Sequence, residues 1–320
     1  MNYHQLTREE RYQIKVLLKT GQNRSQIALA LGVNKSTISR ELARNQGQRG
    51  YRPEQANEMT KARRLEKIKP QISKESWHMI EDKLRLDWSP EQITGWLVKN
   101  HQKAVSHEHI YQHIYTDQKA GGELYKHLRY QKKRRRKRSG KYDHRGIIPD
   151  RKSIDERPEI VEQRERLGDW EGDLIIGQKH QGAVLTLVER KSRFTLIRKV
   201  EGKQALPVAN AMIECLKWVP AVETITNDNG KEFAGHKMVS TALSANVYFA
   251  HPYSSWERGT NENTNGLIRQ YLPKHRDLSA LTAKDELMIM DRINLRPRKC
   301  LNFSTPFEVF FGLQFVALTT

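Results

Sequence analysis

The 320-residue sequence predicts a multidomain chain, with an all-α helix-turn-helix N-terminal region followed by an α/β domain around one five-stranded mixed sheet. Three observations carry this reading. Helical periodicity with capping signals runs through most of residues 6–116. From about Trp170 the apolar residues come instead in short β-rich runs set apart by Gly177, Gly182 and Lys191-Ser192. The charge is also lopsided. Of the net +19, residues 1–150 hold 32 Lys and Arg against 16 Asp and Glu, a net +16, whereas residues 151–320 hold 24 against 21, a net +3. A basic half joined to a nearly neutral half points to a polyanion-binding portion attached to a globular domain.

Taken in order, Thr7-Arg8-Glu9-Glu10 reads as a capping box opening a helix with Ile14, Leu17 and Leu18 on its apolar face, ended by Gly21. A second helix spans about Arg24 to Leu31, Gly32 breaks it, and a third runs from Asn34 to about Arg44. Tyr51-Arg52-Pro53 leads into another helix, rich in Lys and Arg near 61–69. Ser89-Pro90-Glu91-Gln92 supplies an N-cap, Pro at the first helical position and Gln at the third, predicting a helix over 90–99. Ser106 opens the next, with Ile110 and Ile114 on one face. Lys132 to Arg138 are seven consecutive cations that repel one another, which reads as a linker. Strands are expected at 174–176, 183–188, 194–197, 224–226 and 247–249, and helices at 204–218, 235–244, 262–271 and 284–294, with a capping box at Thr305–Glu308. The domain boundaries expected are 1–50, 51–120, a basic linker over 121–160, and 161–320.

No run of eighteen apolar residues exists to span a membrane. The polar start Met1–His4 predicts no secretory signal, and two cysteines, Cys215 and Cys300, make neither a disulfide framework nor a Cys-based zinc cluster. A cytoplasmic chain is expected, nucleoid-associated if bacterial. No Walker-type Gly-x-x-x-x-Gly-Lys run suggests a nucleotide cofactor.

Ala28, Gly32 and Ile38 stand where a helix-turn-helix needs a small residue at the helix crossing, a turn glycine and an apolar anchor. The second helix of that unit presents Lys35, Ser36, Thr37, Ser39, Arg40 and Arg44, side chains that hydrogen-bond phosphates and base edges. The plainer alternative is a three-helix bundle with a basic solvated face. Residues 88–116 resemble a helix-turn-helix less clearly. His109 and His113 lie one helical turn apart beside His107, but with no nearby cysteine they read as polar or phosphate-facing helix residues in preference to zinc ligands.

Three acids stand where an α/β sheet would gather them. Asp173 lies inside the apolar strand Trp170–Ile176, where a carboxylate is costly unless it meets a cation or donor. Asp228 follows the strand 224–226 directly, and Glu262 opens a helix, with Arg258 four residues before it and Arg269 seven after. Asp169 and Glu171 share Asp173's strand face and Glu257 rivals Glu262; Asp173 is preferred because it lies deepest in the strand. Each acid alone has an ordinary reading: a strand-edge acid, an Asx turn, a first-turn helix acid. Together they make a cage of hard oxygen ligands suited to Mg²⁺ or Mn²⁺, and to two such ions about 3.5–4 Å apart. Arg269 and Arg258 would then position phosphate.

The triad Asp173, Asp228 and Glu262, the last two 34 positions apart, resembles that of the DDE transposases and retroviral-type integrases of the ribonuclease-H-like fold. The blocks Trp170–Gly177, Asp228–Phe233, Trp256–Asn263, Gly266–Tyr271 and Asn294–Lys299 are similar to those of the insertion-sequence-thirty family, and Leu6–Arg44 is similar to its helix-turn-helix. Where many relatives outside that family carry a Tyr seven residues before the Glu, this chain has Ser255. The resemblance implies a transposase that binds the terminal inverted repeats of its own element through residues 1–120. It implies divalent-metal-dependent cleavage and joining of DNA strands, and a dimer or higher homo-oligomer. Two competing classes are a non-catalytic DNA-binding regulator that dimerises through its C-terminal domain, and a metal-dependent nuclease that cuts without joining.

Overall fold

A computed structural model describes residues 5–67, 72–102, 104–129, 148–252 and 254–313, and the basic run 132–138 lies outside them. The chain divides into two compact units, residues 1–72 and 73–320.

In the first unit, α1 (Arg8–Lys19) begins at the expected capping box: Thr7 Oγ1 accepts the Glu10 N–H and the Glu10 carboxylate accepts the Thr7 N–H. Helix α2 (Arg24–Ala30) is capped the same way by Asn23 and Gln26. Gly32 turns the chain at φ +62°, a conformation open to glycine, and α3 (Lys35–Asn45) follows. A two-residue hairpin, β1 (Gln46–Gly47) and β2 (Gly50–Tyr51), leads to α4 (Pro53–Lys67). Ile14, Ile27, Ala28, Ile38, Leu42, Tyr51 and Ala56 form the core. Across it Arg11 Nε donates to Glu41 Oε1 at 2.8 Å, tying α1 to the buried side of α3.

The second unit opens with α5 (Lys74–Arg85), α6 (Pro90–Lys99) and α7 (His107–Lys119). Then come β3 (Lys152–Ser153), α8 (Ile160–Gln163), β4 (Asp169–Ile176), β5 (Ala183–Glu189), β6 (Thr195–Val200), α9 (Ala205–Leu216), β7 (Thr224–Asn227), α10 (His236–Leu243), β8 (Asn246–Phe249), α11 (Gly259–Ile268), α12 (Ala283–Asn294) and α13 (Pro306–Phe311). The strands make one mixed sheet in the order β3-β8-β7-β4-β5-β6. Strands β4, β5 and β6 are antiparallel neighbours, whereas β7 and β8 run parallel to β4 on its other side. The sheet therefore has six strands where five were expected. The sixth, β3, is two polar residues long and held by backbone pairing to Tyr248 and Phe249, so no apolar alternation announces it.

Alternation along the strands divides the core. Trp170, Leu174, Leu185 and Leu187 face α9, α10 and α13. Ile175, Val184 and Ile197 face the layer of α11 and α12. The odd-numbered residues of β4, including Asp169, Glu171 and Asp173, therefore look toward α11. The three helices α5–α7 are part of the same unit: the Tyr271 hydroxyl donates to Asp87 Oδ2 at 3.0 Å, and Arg292 donates to the Arg85 carbonyl at 2.9 Å.

Candidate active site and nucleic-acid interface

In the first unit, α3 exposes Lys35, Arg40 and Arg44, while Ser36, Thr37 and Ser39 are half-buried. Arg40 Nη2 donates to Ser36 Oγ at 3.0 Å, one turn back along the helix. Thr37, Arg40 and Arg44 line a cleft together with Arg63 and Arg64 of α4, and Arg63 Nη1 donates to the Arg44 carbonyl at 2.9 Å. Four guanidiniums from two helices thus share one small surface. Sequence reading found the first two; the basic tract near 61–69 hinted at the others without showing which side chains turn toward α3.

The histidines of α7 have partners of their own. His113 stacks on Trp77 with ring centroids 4.0 Å apart and its Nε2 lies 3.0 Å from Glu81 Oε1, while His109 meets the same indole edge-on.

The sheet register gathers the two aspartates. Parallel pairing sets Glu171 opposite Thr226, so Asp173, two residues on along β4, and Asp228, just past the end of β7, come to the same place. Gly172, on the opposite face of β4, leaves room for the Asn227 side chain, since a Cβ there would lie 2.3 Å from Asn227 Oδ1. Arg258 stands between the two acids: Nη1 is 3.5 Å from Asp173 Oδ1 and Nη2 is 3.7 Å from Asp228 Oδ2. It also donates to the Gly172 carbonyl at 3.1 Å. Asp173 Oδ2 accepts from Asn265 Nδ2 at 2.8 Å, and Asp228 Oδ1 accepts the Gly230 N–H at 2.9 Å. Burial holds the Asp173 carboxyl above its usual value, Arg258 opposing that shift and Asp228 adding to it.

The rival acids on β4 have other employment. Asp169 accepts from Arg166 and from the Thr224 hydroxyl, and Glu171 is locked against Arg190. Glu257 accepts the backbone N–H of His251 at 2.8 Å. Asp173 is thus the β4 acid with a partly open side chain, 27% exposed.

Glu262 sits on the first turn of α11 and points to solvent. Among the described residues no three acidic, His or Cys side chains are grouped closely enough to hold one metal ion, so the structure assembles the aspartate pair and leaves Glu262 apart from it. Arg269, at the far end of α11, donates to the carbonyls of Leu272 and Ile176 at 3.3 and 3.2 Å. Burial draws its guanidinium below the ordinary value, with Asp173 opposing.

A central strand continued on one side by an antiparallel meander, β4-β5-β6, and on the other by parallel strands, β7, β8 and the short β3, is the ribonuclease-H-like, integrase-type arrangement. With an aspartate on β4 beside one just past the end of the adjoining β7, and a helix-turn-helix in the same chain, it defines a DDE-type polynucleotidyl transferase acting on DNA. The helix-turn-helix domain family matches residues 2–45. The chain is 45% identical to the transposase for insertion sequence element IS4351 of Bacteroides fragilis, over 95% of both chains. It is 38% identical to the transposase InsI for IS30A of Escherichia coli K12, over 95% of this chain and 82% of that one. It is also 38% identical to the transposase for IS1086 of Cupriavidus metallidurans, over 96% and 94%. The chain belongs to the insertion-sequence-thirty (IS30) family of transposases. Among solved structures, the catalytic core of BIV integrase aligns over 45% of this chain and 93% of its own, at 18% identity and a TM-score of 0.36. No helix among the described residues is long and apolar enough to cross a membrane.

Proposed function

We propose that this transposase binds the terminal inverted repeats of its own element through residues 1–120, and cuts and joins DNA strands at Asp173, Asp228 and Glu262. The reading rests above all on the two aspartates that share a single cation, the Arg258 guanidinium. Two carboxylates turned toward one positive centre form the hard-oxygen set that a divalent ion takes. Asp173 and Asp228 would hold Mg²⁺ or Mn²⁺, and Glu262 would complete the set for a pair of ions as substrate engages. The chemistry such ions would supply is activation of a water or a 3′-hydroxyl as nucleophile and stabilisation of the attacking and leaving oxygens of an in-line displacement.

The remaining work falls to positioning. Asn265 orients the Asp173 carboxylate through its 2.8 Å hydrogen bond. Arg258 offsets part of the negative charge of the aspartate pair in the free protein and, once freed, offers both Nη groups to a DNA phosphate. Arg269 borders the same strand end and contacts the flanking phosphate. On α3, Lys35, Ser36, Thr37, Ser39, Arg40 and Arg44 engage the major groove and its phosphates, with Arg63 and Arg64 of α4 beside them. Joining two element ends calls for a dimer or higher assembly, and the chain acts in the cytoplasm on nucleoid DNA.

The test is incubation of the full chain with end-containing DNA and Mg²⁺, scoring nicks and joined products, alongside pre-cut ends that carry a free 3′-hydroxyl. Joined product from the pre-cut ends is expected, and nicks alone would indicate a hydrolase. Asp228→Asn should abolish both products while end binding persists; normal activity in that variant refutes the site.

A further inference from the structure

Two residues before Asp173, on the same face of β4, Glu171 is wholly buried, as is its partner Arg190. Glu171 Oε1 accepts from Arg190 Nη1 at 2.5 Å. Its other oxygen, Oε2, accepts the backbone N–H of Asn261 at 2.8 Å. The Glu171 carbonyl accepts Asn261 Nδ2 at 3.1 Å, and Asn261 Oδ1 accepts the Thr186 hydroxyl at 3.2 Å. That same hydroxyl lies 3.2 Å from the Asp173 carbonyl. Arg190 is held in turn by the Val161 carbonyl at 3.1 Å and by Glu162 at 2.8 Å.

Helix α11 has no side-chain cap of its own. Asn261 is its third residue, so its amide has no acceptor within the helix. Glu171 supplies that acceptor from the sheet, as a carboxylate at the positive end of the helix dipole. Asn265, one turn on from Asn261, makes the second anchor, to Asp173. With Asn261 and Asn265 both fixed to β4, the rotation of α11 about its axis is set. The direction of the Glu262 Cα–Cβ bond, one residue after Asn261, is set with it. Stability does not account for the arrangement, because a buried ion pair generally adds little over apolar side chains of the same volume.

We infer that the Glu171–Arg190 pair is a positioning device: it fixes α11 against β4 and so sets how tightly the site acids grip a divalent ion. The inference rests on the reading of Asp173, Asp228 and Glu262 as the metal acids.

The experiment measures Mn²⁺ affinity of the full chain without DNA, by calorimetry or by electron paramagnetic resonance of free Mn²⁺, together with thermal melting and end binding. Glu171→Gln should weaken Mn²⁺ binding by roughly tenfold or more, as loss of an outer hydrogen-bond partner does at other metal sites. Glu189→Gln is the control, since Glu189 is equally buried but follows Leu185 and Leu187 on the opposite face of the sheet. It should leave Mn²⁺ affinity within about twofold of the parent. Should Glu171→Gln fail to fold, Asn261→Ala removes the helix side of the clamp and leaves the ion pair whole, with the same weakening expected. Unchanged Mn²⁺ affinity in a folded Glu171→Gln or Asn261→Ala protein overturns the inference, as does equal weakening in Glu189→Gln. Asp228→Asn separates the two readings. If it abolishes Mn²⁺ binding while Glu171→Gln leaves it intact, only the positioning role falls; if it also changes nothing, the metal site itself falls.

Discussion

Removing the Glu41 carboxylate tests what holds the DNA-reading unit together. Glu41 Oε1 accepts from Arg11 Nε at 2.8 Å and from the Tyr51 hydroxyl at 3.0 Å, and Oε2 receives Arg11 Nη2 at 3.4 Å. In Glu41→Ala, Arg11 keeps the Leu6 carbonyl and Asn57 but loses its carboxylate partner while remaining buried. Stranding one member of a buried pair costs about 3–5 kcal/mol. A unit of this length is held by roughly 3–10 kcal/mol, so the change removes a large part of that margin. At about 1.4 kcal/mol per factor of ten, the open population should rise by roughly a hundredfold to a few thousandfold. Hydrogen exchange followed by mass spectrometry on the full chain reads this directly. Protection in α1, α3 and α4 should fall by about 100-fold or more, with residues 73–313 unchanged. Replacing both charges, as Arg11→Met with Glu41→Leu, should recover most of the protection because no ion is left unpaired. Less than a tenfold change in Glu41→Ala, or a double variant no better than the single one, would refute the reasoning.

Arg40→Ala should weaken binding to element ends by about 1–3 kcal/mol if Arg40 reads a base edge. A filter-binding comparison in which random DNA loses as much would show that it contacts phosphate only. In the metal-free protein the Asp173 carboxyl should titrate above the ordinary 3.8. A folded value above the unfolded one means that its contribution to stability is complete below the unfolded value and is lost as pH rises through the folded one. Arg258→Ala should move that titration higher, and carboxyl-resolved NMR showing titration at or below 3.8 would contradict the burial argument. Trp170 is fully buried, meets Phe310 edge-on at 5.7 Å and donates to the Ala221 carbonyl at 3.1 Å. Trp170→Ala should cost about 3–5 kcal/mol by urea unfolding, and a loss under about 1 kcal/mol would mean that the sheet does not depend on this contact.

Elements whose cause is local were legible in the sequence. The reciprocal caps at Thr7–Glu10, Ser89–Gln92 and Thr305–Glu308 start helices where their spacing places them, because donor and acceptor lie three residues apart. Helix α11 begins at Gly259, three residues ahead of expectation, because its cap comes from Glu171 on a distant strand. Strand β3 stayed hidden because only pairing with β8 makes it a strand. Helix α5 was not anticipated, although Ser73 caps it and Ile80 and Leu84 are buried on one face.

The same division holds at the site. Chain order and local pattern single out Asp173 and Asp228, since an acid in an apolar strand and an acid just past a strand end are properties of neighbouring residues. Tertiary structure decides the rest, because it depends on contacts between segments far apart in the chain. Parallel register aligns β4 with β7, Arg258 comes to lie between the aspartates, and Glu171 turns from a rival acid into the group that caps and anchors α11.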